Sequence, residues 1–236
     1  WLNHETRFNM MSIFALQLFD LHKFLNIKKS KVSFDGNLQI GLGSAGVPSA
    51  LAHFSPPNFI NLSRYRRGGG IKGRLSGNGL GSFVHEYGHA LDYYCGRYLD
   101  KNGYAAFITG LTVSQTIRPK LMEQNTLRGL AERFFKVVYE QKRYVGNLEN
   151  APNRNYLLKR VEIFARTFEQ YVTVELNNKG LNYTLLGKKY ENRGIYFNEQ
   201  EYHKIKPSFK KLVDAMVKGL NNSEVNNSNF SLVRAL

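Results

Sequence analysis

The residues best placed to do chemistry in this sequence form one pentapeptide, His85-Glu86-Tyr87-Gly88-His89. On a helix, imidazoles four positions apart share a face and can grip a single zinc ion, and the carboxylate of Glu86 then lies beside it. A zinc ion held in this way lowers the pKa of a bound water to about 7, and a neighbouring carboxylate can take its proton as the water attacks a carbonyl. The pattern therefore predicts metal-assisted hydrolysis, with His85 and His89 as ligands and Glu86 as general base.

Such a motif needs a helix to carry it. The flanks read SFVHEYGHALDYYCG, in which Phe83, Val84, Tyr87, Ala90, Leu91 and Tyr94 supply apolar faces. Ser82 can accept the free N–H groups of a first turn, and Gly96 is a natural stop. A buried helix of about four turns is expected, starting after a glycine-rich stretch. Cys95 reads as buried packing.

A catalytic zinc takes three protein ligands and keeps one open position, so a later segment must supply the third. Cys95 stands where a histidine would complete HExxHxxGxxH, and Asp92 stands where that pattern has glycine, which disfavours that class. His22 and His53 read as an ordinary helix and strand histidine, and His203 as a surface residue in a polar stretch. A glutamate is the better candidate. Residues 156–176 (YLLKRVEIFARTFEQYVTVEL) form a helical pattern offering Glu162 and Glu169, seven apart on nearly one face, of which one can meet a compact site. Arg166 is placed to pair with Glu169. Asp92, on the same face as His85 and His89, can orient a ligating imidazole or equally meet a nearby arginine at the helix end.

Around these residues the chain reads as α+β. Helical periodicity runs over 8–25, 127–145, 156–176 and 208–220, and short strands are expected in VSFDGNLQIGL (32–42), ALAHF (50–54) and FINLS (59–63). The Pro-Pro turn between the last two favours a hairpin directly before the metal helix, and the edge of such a hairpin can pair with an extended peptide. Residues 103–117 are mixed, ENAPNRN is a turn, and NNSEVNNSN begins a loosely ordered tail. With 236 residues, 42% apolar and 13% aromatic, the sequence can bury one substantial core. We expect a single domain over 1–222, with an N-terminal lobe to about 96, a mainly helical C-terminal lobe over 97–222, and a tail over 223–236. No apolar run suits a membrane span, and a lone cysteine excludes a disulfide-rich secreted scaffold.

The charge balance, 33 Lys and Arg against 18 Asp and Glu, leaves a formal +15 that attracts polyanions. Arg64, Arg66, Arg67, Lys72 and Arg74 lie together in RYRRGGGIKGRLSG. This loop reads as solvated surface, with contact to nucleic-acid phosphates as the alternative. It lacks GxxxxGK[ST] spacing and so is not a nucleotide-binding loop.

HEYGHALDYY followed at a distance by EIFARTFEQYV resembles the peptidase domain of the anthrax lethal factor group, where a glutamate opening an ExFAxAF segment completes the site. More closely, the order WLN, GLGSA, ALAHF, FINLS, a glycine stretch, SFVHEYGHALDYY and EIFARTFEQYV resembles the first large polyvalent-protein-associated domain of phages and conjugative elements. The resemblance implies a zincin-like metallopeptidase fold with a small mixed or antiparallel sheet, Zn2+ as cofactor, and Glu162 as third ligand. It also implies a peptide or protein substrate, a place within a larger phage or mobile-element protein, and location in a virion or host cytoplasm. Tyr156 resembles in position the tyrosine that steadies the oxyanion in the lethal factor group. Two departures are visible: an enlarged loop before the metal helix, and LLKRV where a proline-containing turn is expected.

Two readings of function follow, a zinc endopeptidase or an inactive basic module of the same fold associated with nucleic acid. A zinc that serves folding alone is disfavoured, because the chain offers no closed Cys and His set near the motif.

Overall fold

The computed structural model describes residues 4–42, 51–63, 79–100, 105–110, 118–179 and 194–223. A long helix, α1 (His4–Leu25), leads into strand β1 (Gln39–Leu42), followed by β2 (Ala52–Ser55) and β3 (Phe59–Leu62). The strands form one mixed sheet in the order β1-β3-β2. Strand β3 runs parallel to β1, with Ile40 opposite Ile60, and antiparallel to β2, with Phe54 opposite Ile60. The turn Ser55–Phe59 that joins β2 to β3 contains a cis Pro56–Pro57 bond, and the expected hairpin is present. The predicted strand over 32–42 is shorter than its apolar pattern suggests. Residues 31–33 form a 3-10 turn, and Phe34, Asp35 and Gly36 adopt left-handed backbone, which leaves 39–42 to pair.

Helix α2 (Phe83–Tyr94) carries the pentapeptide and packs on β2 and β3. Two details of its ends differ from expectation. Ser82 stands at the N-cap but makes no side-chain cap, a short 3-10 turn over Gly79–Ser82 leading in instead. Gly96 does not stop the helix, which widens into a π-helical turn over Cys95–Leu99. The glycine serves close packing: a β-carbon there would lie 2.5 Å from the Ala106 carbonyl oxygen and 2.7 Å from the Ile108 nitrogen.

The remaining helices are α3 (Arg118–Glu123), α4 (Leu127–Tyr139), α5 (Lys142–Glu149), α6 (Arg154–Leu157), α7 (Arg160–Asn178) and α8 (Glu199–Asn222). The helix expected over 127–145 is thus two, broken at Glu140 and Gln141, where the Gln141 side chain donates back to the Val137 carbonyl. The helix expected over 156–176 is also two, because Lys159 takes an extended backbone between α6 and α7. Helix α8 starts nine residues earlier than its apolar pattern indicates. Asn198 and Glu201 form a reciprocal capping box, and Pro207 is carried inside the helix. His203 therefore sits on a helix, exposed to solvent, rather than in an irregular polar stretch.

One cluster of buried apolar side chains joins α1, the sheet, α2, α4, α5, α7 and α8, with Phe83, Tyr87, Phe134, Phe164, Phe168 and Phe209 among its fully buried members. Cys95 is buried within it. The fold is α+β, a small mixed sheet against a mainly helical body. Among the described residues, no helix is long and apolar enough to cross a membrane. The basic segment with Arg64, Arg66, Arg67, Lys72 and Arg74, most of 103–117, and the tail beyond Ser223 lie outside the described residues.

Candidate metal centre

Among the described elements, helices α2 and α7 make the most extensive contact, and Gly88 is the reason that it is close. A β-carbon at Gly88 would lie 3.2 Å from the Phe168 ring and 3.3 Å from the Ala165 Cα, so only a residue without a side chain permits this approach unstrained. Gly88 belongs to the pentapeptide, and Ala165 lies one helical turn beyond Glu162. The same contact that packs the helices brings the two imidazoles to the carboxylate.

The donors of His85, His89 and Glu162 lie within 4.8 Å of one another. His89 Nε2 is 3.3 Å from Glu162 Oε1, and His85 Nε2 is 3.5 Å from Glu162 Oε2. The imidazole planes stand at 81° with centroids 4.9 Å apart. Glu162 Oε2 is buried and accepts no hydrogen bond. Burial opposes ionisation of Glu162, yet the two imidazoles hold its carboxyl well below the usual carboxylate range. Burial likewise favours neutral His85, but the Glu162, Glu169 and Glu86 carboxylates outweigh it and raise its pKa to about 9. Two imidazole nitrogens and a carboxylate oxygen left without a donor are a donor set that zinc accepts with a fourth position open.

A second tier supports these three. His85 Nδ1 lies 3.6 Å from Glu169 Oε2, which accepts a 2.7 Å hydrogen bond from the Tyr196 hydroxyl. Glu162 and Glu169 thus serve different atoms of one imidazole, since seven residues separate them by two turns on one face. Arg166 faces Glu162, with Nη1 at 3.7 Å from Oε2, while its Nη2 donates to the Leu157 carbonyl and so fastens α6 to α7.

Glu86 is buried in the first turn of α2, near enough to raise the pKa of both His85 and Tyr156. Tyr156, on α6, is 47% exposed. Partial burial and then the Glu162 and Glu86 carboxylates push its hydroxyl well above the ordinary tyrosine range, so it is a neutral donor. It also borders an open surface depression formed by the turn from Glu149 to Tyr156.

Asp92 is placed differently from a direct partner of an imidazole. It is fully buried, and its two oxygens accept the backbone N–H and the hydroxyl of Thr109, at 3.0 Å for the N–H. His89 and Arg128 act on it through their charge alone, and burial raises its pKa to about 6 despite the Thr109 bonds. Segment 105–110 is further clamped by Arg128, which donates to the carbonyls of Ala105, Phe107 and Ile108 and to Asp100. His22 bonds to the Ile27 carbonyl, and His53 is half-buried on β2, so neither joins the cluster.

Sequence reasoning missed Tyr196 and Arg128. Tyr196 lies far along the chain, and its segment is fixed to α7 by Gln170, which bonds both N–H and carbonyl of Phe197. No local pattern marks it. Arg128 opens an amphipathic helix, and its complete burial among carbonyls has no signature in spacing.

The family model of large polyvalent protein-associated domain 1 matches residues 148–220. The match takes in Tyr156, Glu162, Arg166, Glu169 and Tyr196 and is narrower than the resemblance drawn from the sequence, since His85, Glu86 and His89 lie before it. Neither a curated protein nor a solved structure matches the chain.

Proposed function

We propose that the chain is a zinc-dependent endopeptidase with a zincin-like fold and a gluzincin-type site, carried as a module of a phage or mobile-element polyvalent protein. The observation that supports this most directly is the convergence of His85, His89 and Glu162 donors within 4.8 Å, on helices that Gly88 allows to touch. Zinc, when bound, would supply Lewis acidity to a water and to the scissile carbonyl.

The rest of the chemistry belongs to the protein's own residues. Glu86, buried next to the ligands, is placed to take the proton of the attacking water and return it to the leaving amine. Tyr156, held neutral, can donate to the oxygen on which negative charge develops. Glu169, with Tyr196 behind it, holds the His85 ring in one orientation. Strand β2, an edge of the described sheet that touches α2 through Phe54 and Tyr93, offers an extended peptide a backbone to pair with. The 149–156 depression beside Tyr156 would receive flanking side chains.

The second reading, a basic module that binds nucleic acid without catalysis, draws on the net charge of +15. Metal analysis and peptide-library cleavage of the purified chain and of Glu86→Gln separate the two. The peptidase reading expects one zinc per chain in both and cleavage by the unsubstituted chain alone, abolished by a chelator. Absence of zinc from both, with salt-sensitive binding to DNA, would replace it with the second reading.

A further inference from the structure

Helix α1 is apolar on two opposite faces. One face is used: Met10, Leu21 and Leu25 are buried, Phe14 meets Phe83 edge to face, and Phe24 packs on Tyr171. The opposite face carries Phe8, Met11, Leu16 and Phe19, exposed by 70%, 54%, 52% and 52%. Among the described residues, every exposed large hydrophobic side chain other than Tyr156 lies on this one face. An amphipathic helix that had finished its packing would present polar residues there.

The order of residues on the outer face is mirror-symmetric about the point between Ile13 and Phe14. Phe8 and Phe19 are equidistant from it, as are Met11 and Leu16, and the small pair Ser12 and Ala15 lies nearest the centre. Near the two ends of this face Glu5 and Lys23, about five helical turns apart, stand on the same flank with opposite charge. A two-fold axis through the point between Ile13 and Phe14 lays α1 antiparallel on the α1 of a second copy, so that Phe8 faces Phe19, Met11 and Leu16 each approach their own counterpart, and Glu5 approaches Lys23. An isologous interface requires this self-complementarity, and small residues at the crossing allow a close interaxial distance.

We propose that this face is the interface of an antiparallel homodimer, α1 of one copy against α1 of the other. The exposures correspond to roughly 450 Å² of apolar side chain per copy, taking roughly 200 Å² for each large side chain. With its polar flanks the pair buries on the order of 1,000 Å², the size of a reversible association rather than an obligate one. The mixture of Glu5, Arg7, Asp20 and Lys23 along the flanks favours a second protein copy over a lipid surface, for which a Lys- and Arg-rich flank is the usual complement. This inference does not depend on the metal reading.

Sedimentation equilibrium of the full chain from about 1 to about 100 µM should show mass rising from monomer to dimer, as expected for an interface of this size. Phe19→Glu should hold it monomeric with unchanged circular dichroism and melting temperature. Mixing Phe8→Cys with Phe19→Cys chains and oxidising should give a disulfide-linked dimer, whereas each variant alone should not, because like cysteines then stand roughly 16 Å apart along the helices. Cys95 is buried and stays silent. A chain monomeric throughout, a dimer that survives Phe19→Glu, or linkage within one variant alone overturns the proposal. So does a monomer that instead sediments with phosphatidylcholine–phosphatidylserine vesicles.

Discussion

Gly88 of α2 faces Ala165 of α7 so closely that a β-carbon on the glycine would lie 3.3 Å from the Ala165 Cα. The contact couples packing to chemistry, since His85 and His89 flank Gly88 and Glu162 is one turn from Ala165. A methyl group here meets a backbone atom and an aromatic side chain, neither free to retreat, while the helix gains about 1 kcal/mol of propensity from losing a glycine. We expect Gly88→Ala to leave the urea midpoint nearly unchanged and Gly88→Val to cost about 1 to 3 kcal/mol through overpacking. Zinc affinity, read by competition with a chromophoric chelator, should fall in the same order. Equal affinity in all three proteins would show that the helix separation does not set the site.

Asp92 gives the metal-free fold a defined pH dependence. Burial raises its carboxyl from the ordinary 3.8 to about 6, so between these values the folded chain keeps a proton that the unfolded chain has released. Its contribution to stability is therefore complete below about pH 4 and is lost as pH rises through 6. Asp92→Asn imitates the neutral acid at every pH. The stability of the variant relative to the unsubstituted chain should rise between pH 4 and 6 by up to about 3 kcal/mol and then level off. Urea unfolding of metal-free protein across that window tests this, and a constant difference would place the proton elsewhere.

How much of this was legible in the sequence depends on the range of the interactions. His85, Glu86 and His89 lie within one helical turn, and residue type and spacing mark them directly. Glu162 was narrowed by spacing to one of two glutamates and assigned by resemblance; the structure sets it 3.3 Å from His89 and gives Glu169 the far side of the His85 ring. Element types were largely readable, whereas the breaks at Gln141 and Lys159 interrupt apolar periodicity that continues through them. The early start of α8 rests on the Asn198–Glu201 capping pair, in a polar stretch where apolar periodicity has not yet begun. Arg128 and Tyr196 depend on partners about 20 or more residues away and leave no local trace.

Behind His85, the Glu169 carboxylate is itself fixed by Tyr196. Removing this support should weaken metal binding without removing a ligand. We expect Glu169→Gln and Tyr196→Phe each to lower zinc affinity by about 10- to 100-fold, the range found for such outer partners, with Tyr196→Phe at the lower end. Chelator competition measures both. A loss of all zinc from Glu169→Gln would instead make Glu169 a direct ligand.

Arg128 holds one side of segment 105–110 as Asp92 holds the other. Its guanidinium is 2% exposed and donates to Asp100 at 2.6 Å and to three backbone carbonyls. Arg128→Met keeps much of the volume but removes the ion pair with Asp100 and the guanidinium donors to the three carbonyls. The expected cost is about 3 to 5 kcal/mol, as for removing one partner of a buried ion pair. Adding Asp100→Asn to the Met variant should recover part of it, since one buried charge is then gone. Unfolding midpoints of the single and double variants provide the check, and strictly additive losses would deny the coupling.

Zinc should stabilise the fold if the proposed ligands bind it, because two elements far apart in sequence must meet to form the site. His85 and His89 come from α2 and Glu162 from α7, so the unfolded chain holds the ion far less well. Free zinc at a hundred times its dissociation constant should add about 2.7 kcal/mol, visible as a rise in melting temperature that a chelator reverses. His89→Ala and Glu162→Ala should abolish most of the rise. Glu86→Gln should keep it in full while losing cleavage, because Glu86 is assigned to the proton and not to the metal. A Glu86→Gln protein that no longer responds to zinc would move Glu86 into the ligand set and require a different base.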